Sequence, residues 1–230
     1  MIIEAVNEST CIVYFGDRID DDIAGQVKRA TEAIRRNLSD LVIDLVPSYT
    51  SVLVCYNADR TDRFGIASRL RKALSQSEQE VPDENASSTI ELPVYYGAEV
   101  GLDLDEVCDY SGLSRDEVVR IHSEQTYRVY AIGFSPGFAY LGITDQRIAL
   151  PRKATPRQKV PTGSVGIAGS QTAIYPSATP GGWQIVGRTP QKMIDWDSDS
   201  LALVAVGDKV RFRSIDRQEY LDLGGSLDEF

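Results

Sequence analysis

The residues best suited to binding chemistry are six cations that lie close together in the sequence, between positions 133 and 190. One acid, Asp145, opposes them, so this stretch has a net charge of +5 in a chain whose net charge is −10. Guanidinium groups and free backbone N–H groups are the donors that suit carboxylates and other small anions. The stretch, which we call the basic segment, therefore predicts an anion site. Its cations are Arg147, Arg152, Lys153, Arg157, Lys159 and Arg188.

The basic segment also holds nine of the 18 glycines and seven of the 10 prolines of the chain. This density predicts a backbone built from turns and close approaches rather than from long helices. It is equally typical of the corners of a small β-barrel, where surface arginines are simply solvated. Composition alone leaves the anion site and the plain barrel corner as open alternatives.

His122 is the only imidazole of the chain, so a histidine general base near neutral pH has to be this residue. It stands at the end of a predicted helix, where a histidine often caps the last carbonyl groups or packs against its neighbours. The sequence leaves the catalytic and the structural interpretation of His122 side by side.

Composition and motifs exclude several other classes of protein. An apolar content of 42% and a charged content of 25% are typical of soluble globular proteins. No apolar run is long enough for a bilayer and the first residues lack the pattern of a secretion signal, so we expect a cytoplasmic protein without a membrane partner. A pI near 4.7 disfavours nucleic acid. The spacing of the three cysteines and one histidine predicts no metal site, and neither a GxxxxGK[ST] loop nor a GxSxG elbow occurs.

The first part of the chain, residues 1–88, predicts a small α/β domain. Apolar spacing favours a helix at 19–38, and a β-type run precedes it at 11–15. A strand at 89–96 would complete the βαββαβ order of a ferredoxin-like fold. The acidic stretch 75–88 lacks periodicity and is interpreted as an interdomain linker. Between the first helix and this stretch we expect strands at 41–46 and 51–56, joined by a turn, and a helix from about residue 62.

The second part, residues 89–230, predicts a β-barrel domain. Ser114 and Glu117 have the spacing of a capping box, which starts the helix that ends near His122. Many short β-type runs with glycine and proline corners then follow, as in a small barrel. The last nine residues, DLGGSLDEF, are interpreted as a loose acidic tail.

Three blocks of the basic segment carry a resemblance to a known family. The blocks are GFSPGFAYLG, PRKATPRQKVPTGSVGIAG and IYPSATPGGWQIVGRTP. Together they resemble the family of 5-oxoprolinase B subunits, also described as KipI-type proteins and as the first subunit of allophanate hydrolase or urea amidolyase. The resemblance extends over essentially the whole chain. It implies that the barrel is of the cyclophilin-like type, so the expected fold class is α+β with two domains.

The resemblance also implies an activity and partners. It predicts a stable heteromer with a larger C subunit, and cooperation with the A subunit in the ATP-dependent opening of 5-oxo-L-proline to L-glutamate. ATP and Mg²⁺ would then be cofactors of the complex, and the isolated chain would be inactive. Two alternatives remain open: an inhibitor of a sensor histidine kinase, and a component of a biotin-dependent urea carboxylase or amidolyase, although no Met-Lys biotinylation motif is present.

This chemistry requires donors that hold a carboxylate and a developing oxyanion in a pocket poor in water. We therefore expect Arg152, Arg157 and Arg188 to clamp the anion from one shared barrel face, at a seam with a second chain. Further candidate ligand contacts are Ser164, Gln171, Gly181 and Gly182. Candidate pocket walls are Phe134, Pro136, Phe138, Tyr140, Tyr175 and Trp183. Ser164 and Gln171 are equally suited to turns, and the aromatic residues to a barrel core.

Overall fold

A computed structural model describes residues 1–77, 89–198 and 201–227 of the chain. The chain divides into two compact units, Met1–Ala86 and Ser87–Phe230, which we call unit 1 and unit 2. Most of the predicted linker at 75–88 lies outside the described residues.

Unit 1 consists of a four-stranded antiparallel sheet and two helices. The strand order in the sheet is first, second, fourth, third. In chain order the elements are β1 (Ile2–Asn7), β2 (Thr10–Tyr14), α1 (Asp21–Asn37), β3 (Val42–Ser48), β4 (Ser51–Tyr56) and α2 (Arg63–Ser77).

Helix α1 forms because its apolar residues recur on one face and its ends are matched to the helix dipole. The Asp20 side chain caps the first turn by accepting a hydrogen bond from the backbone N–H of Asp22. Val27 and Ile34 on the apolar face are fully buried in the core of unit 1 together with Val13 and Val54 of the sheet. The predicted helix at 19–38 is confirmed.

Unit 2 is built on a closed barrel of seven strands, in the order β10-β7-β6-β13-β5-β12-β9. Its strands are β5 (Thr89–Tyr95), β6 (Thr126–Ile132), β7 (Ala139–Gly142), β8 (Arg157–Val160), β9 (Ser164–Ala168), β10 (Gln171–Ile174), β11 (Thr179–Gly181), β12 (Gln184–Arg188) and β13 (Lys209–Ile215). Strands β8 and β11 pair only with each other. The helices are α3 (Leu104–Ser111), α4 (Arg115–Glu124) and α5 (Arg217–Asp222), with a 3₁₀ turn at Gln146–Ile148.

The barrel encloses an apolar core to which α3 and α4 contribute. Leu104 and Val107 of α3 and Val118 of α4 are buried with strand residues such as Val129 and Phe212. The barrel predicted from the glycine and proline corners is confirmed, and its assignment to the cyclophilin type stays a prediction.

The ferredoxin-like βαββαβ order predicted for the first domain is wrong. Unit 1 has the order ββαββα, because an additional strand, β1, pairs antiparallel with β2 at the edge of the sheet. The strand assigned to its end, β5, belongs to the barrel, where it pairs in parallel with β13 over seven residues. Strand β1 is mostly exposed and shows no strong alternation, so its sequence pattern was weak.

The capping box predicted at the start of α4 is confirmed. The Ser114 Oγ accepts a hydrogen bond from the backbone N–H of Glu117, and the backbone N–H of Ser114 donates to the Glu117 carboxylate at 2.9 Å. We expect Ser114→Ala to lower the free energy of unfolding of unit 2 by about 1 kcal/mol, because the backbone N–H of Glu117 loses its acceptor and the Glu117 carboxylate loses the hydroxyl donor of Ser114.

This effect is measured by urea unfolding followed by tryptophan fluorescence. Both tryptophans of the chain, Trp183 and Trp196, lie in unit 2 and report on it alone. Ser123→Ala, within the same helix and away from the cap, is the control and should change the free energy by less than about 0.5 kcal/mol. Equal effects of the two substitutions would contradict a role of the cap in stability.

Candidate functional site

One candidate site on unit 2 is a cavity of about 550 Å³, which we call the Arg188 cavity. Its lining combines two cations, two acids, three aromatic rings and several glycines. The lining residues are Thr162, Gly163, Tyr175, Pro176, Arg188, Thr189, Pro190, Gln191, Lys192, Met193, Ile194, Asp195, Trp196, Asp197, Tyr220, Gly224, Gly225 and Ser226.

Two barrel strands position Arg188. It is the last residue of β12 and lies directly opposite Ser164, the first residue of β9. The preceding Gly163 has a φ of +79°, and a Cβ there would lie 2.4 Å from the carbonyl oxygen of Thr189. Glycine is thus required at 163 so that the two strand ends approach closely. Arg188 itself is only 2% exposed.

The C-terminal segment reaches the same cavity. The Ser226 carbonyl oxygen accepts a hydrogen bond from Arg188 Nη1 at 2.9 Å and another from the Tyr220 hydroxyl at 3.0 Å. Tyr220 lies on α5 and is 1% exposed. The segment predicted as a loose tail is therefore anchored at least as far as Ser226.

Arg157 is placed away from this cavity, on a buried carboxylate. Asp103 is fully buried, and Arg157 binds it with both terminal nitrogens, at 2.8 and 2.7 Å. Lys153 Nζ and the backbone N–H of Ile185 also donate to Asp103, at 2.8 and 2.7 Å. All four lone-pair positions of the carboxylate are thus occupied by donors. Lys153 additionally binds Glu106.

These donors decide the charge of Asp103. Burial acts most strongly and raises its pKa, but the hydrogen bonds from Arg157, Lys153 and the backbone of Ile185 outweigh it and hold the pKa below the ordinary value. Asp103 is therefore an ionised carboxylate that ties Lys153 and Arg157, the first residue of β8, to strand β12. Satisfied in this way, Arg157 acts as a structural cation in the described conformation.

Arg152 lies over an aromatic cluster. Its guanidinium carbon is 5.7 Å from the centre of the Trp183 ring, a cation–π arrangement. Phe138 is at the middle of the cluster, with ring centres of Tyr140, Tyr175 and Trp183 between 4.9 and 5.7 Å away. Phe138, Tyr175 and Trp183 are buried, so the core interpretation of these aromatic residues fits better than a ligand wall.

Two residues of the predicted wall differ from this pattern. Phe134 is 65% exposed and has a φ of +72°, which is unusual for a residue with a side chain, and its ring meets Phe138 edge-on. Pro136 is exposed as well. Within the cluster, Tyr175 alone also lines the Arg188 cavity. Its pKa is raised to about 12, chiefly by burial, although the charges of Arg152 and Arg157 act in the opposite direction.

The expectation that three arginines share one cavity is wrong. Arg188 lines the cavity, Arg157 is bound to Asp103, and Arg152 lies over Trp183. Sequence spacing gave no sign of this, because the buried acid that engages Arg157 lies about 50 residues earlier in the chain.

His122 is buried in the barrel rather than exposed at a site. It is 1% exposed, and its ring stacks on Phe212 at a centre distance of 4.7 Å. Its Nδ1 is 2.8 Å from the Tyr96 hydroxyl and its Nε2 is 2.9 Å from Thr172 Oγ1. Thr172 donates its own proton to the Gly166 carbonyl, so it accepts from Nε2, and Nδ1 accepts from Tyr96.

This arrangement contradicts a general base at His122. Both ring nitrogens are engaged, and burial lowers the pKa of the imidazole to about 3. A neutral, inaccessible ring of such low basicity is a structural element of the barrel. The packing interpretation made from the sequence is the one that the structure supports.

The four remaining candidate ligand contacts lie in strands of unit 2 or directly beside them. Ser164 is fully buried, and its Oγ has no hydrogen-bond partner in the described structure. The Gly182 carbonyl accepts from the backbone N–H of Lys153 at 2.7 Å, and a Cβ at Gly181 would lie 2.3 Å from the Tyr175 hydroxyl oxygen. Gln171, the first residue of β10, lies opposite Ala168 of β9 and is partly buried. None of the four lines the Arg188 cavity.

Sequence reasoning missed three residues of this region. Tyr220 and Ser226 stand in a stretch rich in polar residues and glycine, and Asp103 stands in a run of acids. The only available signal was the pair Gly224-Gly225 directly after a short apolar run, which is typical of a helix end with a tight turn.

Unit 1 carries a separate surface cleft of about 760 Å³. Phe64, which is 68% exposed, lies at this cleft with the Arg63 guanidinium 4.6 Å from its ring centre. No residue predicted for the site lines it. The described part of the chain contains no group of three or more side chains that could bind a metal ion. Its helices include none with the length and hydropathy of a membrane span.

Comparison with known proteins identifies a family and relatives. The family described as "Carboxyltransferase domain, subdomain C and D" matches residues 1–204. The B subunit of 5-oxoprolinase from Bacillus subtilis is 37% identical over 226 residues, which cover 95% of this chain and 94% of that protein.

Solved structures resemble the chain over nearly its whole length. The crystal structure of TTHA0988 has a TM-score of 0.79 and 33% identity over 91% of this chain, which spans only 40% of that protein. The urea carboxylase of Kluyveromyces lactis has a TM-score of 0.72 over 93% of this chain and 22% of its own length. At 20% identity, this second likeness shows the shared fold alone.

Proposed function

The chain belongs to the family of 5-oxoprolinase B subunits, and from that premise we propose that it is one component of an ATP-dependent 5-oxoprolinase, which opens 5-oxo-L-proline to L-glutamate. The observation that carries the proposal is the match to the Bacillus subtilis protein along 95% of this chain and 94% of that relative. The activity belongs to the assembly, and the isolated chain is inactive.

The proposed partners are a larger C subunit, which forms a stable heteromer with this chain, and the A subunit. Support comes from TTHA0988, in which the region like this chain is 40% of a longer polypeptide. Further chain is therefore covalently attached to this fold in that relative, and the proposed C subunit would correspond to such an attached part.

The Arg188 cavity is the proposed place for the substrate carboxylate. Arg188 and Tyr220 direct donors to one point, and their burial makes each hydrogen bond stronger than it would be in water. Anchoring the carboxylate would fix the lactam ring and limit the orientations of its amide bond. Such positioning lowers the entropic part of the barrier.

ATP and Mg²⁺ are proposed as cofactors of the complex. This chain alone does not suit them, because its sequence has no phosphate-binding loop and its described residues gather no set of three metal-ligating side chains. The kinase-inhibitor and biotin-dependent alternatives stay predictions, and the likeness to urea carboxylase supports the fold only.

Reconstitution tests the proposal. We expect glutamate release with ATP consumption when this chain is mixed with the A and C subunits, and none when any one of the three is omitted. Arg188→Gln in the assembly should lower kcat/KM by about 100-fold, because charge-assisted hydrogen bonds to the carboxylate are lost. Arg211→Gln, which changes an exposed arginine of the same unit, is the control. Absence of glutamate release in every combination would contradict the function.

A further inference from the structure

The Ser226 carbonyl oxygen occupies a position that is built to bind an acceptor. Two buried side chains, Arg188 and Tyr220, donate to this single oxygen at 2.9 and 3.0 Å. A guanidinium group and a phenol hydroxyl are the donor pair that a carboxylate oxygen would use. The acceptor position lies in the lining of a cavity of about 550 Å³, which is large enough for a small organic acid.

The segment that carries this carbonyl is folded back by a helix-ending turn. Helix α5 ends in a Schellman motif, in which the Gly224 N–H donates to the Leu221 carbonyl and the Gly225 N–H donates to the Tyr220 carbonyl, both at 2.9 Å. Gly224 has a φ of +85°, as this turn requires. The turn aims the chain from α5 across the Tyr220 ring and towards Arg188.

Gly225 decides whether the segment can lie across the ring. A Cβ at this position would approach three carbon atoms of the Tyr220 ring to between 2.4 and 2.6 Å. The ring has little room to yield, because Tyr220 is 1% exposed and packs against Tyr95 at a centre distance of 5.5 Å. A side chain at 225 would therefore move the segment rather than the ring.

We propose that the Arg188 cavity is a subsite for a small carboxylate, and that the Gly224–Ser226 segment occupies its acceptor position until a ligand carboxylate displaces it. The Ser226 carbonyl imitates one carboxylate oxygen. The lining also carries Lys192, Asp195 and Asp197, so it offers an acceptor for an N–H group elsewhere on the same ligand. Choosing 5-oxo-L-proline as that ligand rests on the proposed function.

Calorimetric titration of the full chain with 5-oxo-L-proline tests this inference. We expect Gly225→Ala to bind about tenfold more tightly than the unchanged chain, because the ligand no longer competes with the segment. Gly133→Ala is the matched control, since a Cβ at that glycine meets no atom within 4 Å, and it should leave the affinity unchanged. A chain that ends at Leu223 provides a second variant with the same expected gain. Equal affinity of all four proteins would overturn the proposal.

Two further probes separate this inference from the proposed function. 2-Pyrrolidone has the lactam ring without the carboxylate, so we expect Gly225→Ala to bind it no more tightly than the unchanged chain does. If Gly225→Ala bound L-proline more tightly than the unchanged chain does, but bound 5-oxo-L-proline equally well, displacement of the segment would be supported. The same result would exclude 5-oxo-L-proline as the ligand of the Arg188 cavity. Glutamate release by the reconstituted assembly, with equal KM for the Gly225→Ala and unchanged chains, would support the function and overturn the role of the segment.

Discussion

Replacing Asp103 by Asn is expected to lower the free energy of unfolding of unit 2 by about 3–5 kcal/mol. The substitution removes a fully buried negative charge to which two cations are bound, Arg157 through both terminal nitrogens and Lys153 through Nζ. Removing one member of a buried ion pair leaves the others desolvated and uncompensated, which costs this amount in comparable cases. Urea unfolding followed by tryptophan fluorescence measures the change.

The matched control is Asp105→Asn, two residues further along the chain. Asp105 also pairs with an arginine, Arg115, but its side chain is 70% exposed. Exposed pairs contribute about 0–1 kcal/mol, so this variant should remain close to the unchanged protein. If Asp103→Asn also lost less than about 1 kcal/mol, the buried network would have no structural importance. The Arg157 side chain would then be available for a ligand.

The Asp103 network also shows why part of the site escaped prediction. The barrel and the capping box were predictable because glycine corners, proline positions and the Ser114–Glu117 spacing are local patterns. The partner of Arg157 depends on the closing of the barrel, which brings together residues 54 positions apart. A count of cations in a segment records charge, but it carries no information about which cation has a buried acid as its neighbour.

The strand order of unit 1 was predicted wrongly for a similar reason. Strands β4 and β5 both have apolar residues in alternation, yet the first pairs within unit 1 and the second in parallel with β13. Alternation predicts that a strand has a buried face, and it does not choose the partner strand. The Arg188 cavity likewise depends on Tyr220 and Ser226, which approach Arg188 only after α5 has folded onto the barrel.

The second large effect concerns His122 and pH. When the pH falls from 6.5 to 4.5, we expect the free energy of unfolding of the unchanged protein to decrease by about 2 kcal/mol more than that of a His122→Gln variant. The folded-state pKa of about 3 is below the ordinary value of 6.5, so the unfolded chain takes up a proton first as the pH falls. The contribution of His122 to the free energy of unfolding is fully present above pH 6.5. It declines as the pH falls towards 3, by up to about 1.4 kcal/mol per pH unit.

The pH range from 6.5 to 4.5 separates the titration of the imidazole from that of the carboxylates. Asp103 and Asp145 have pKa values below the ordinary value for aspartate, and the contributions of these groups to stability are lost mainly below pH 4. Subtracting the free energy of unfolding of the variant from that of the unchanged protein, at each pH from 6.5 to 4.5, removes the contributions of the carboxylates that both proteins contain. At pH 7 the variant should be less stable by about 1–3 kcal/mol, because Tyr96 and Thr172 lose a well-placed partner.

NMR spectroscopy gives a test that does not depend on the variant folding. His122 is the only histidine, so a single imidazole signal reports its protonation and tautomer without assignment. We expect this signal to show the Nε2–H tautomer and to stay unchanged from pH 8 to pH 5, since Thr172 accepts from Nε2 and Tyr96 donates to Nδ1. A titration midpoint near 6.5 in the folded protein would place the ring in water. That result would restore His122 as a candidate general base and remove the buried hydrogen-bond chain from Tyr96 to the Gly166 carbonyl.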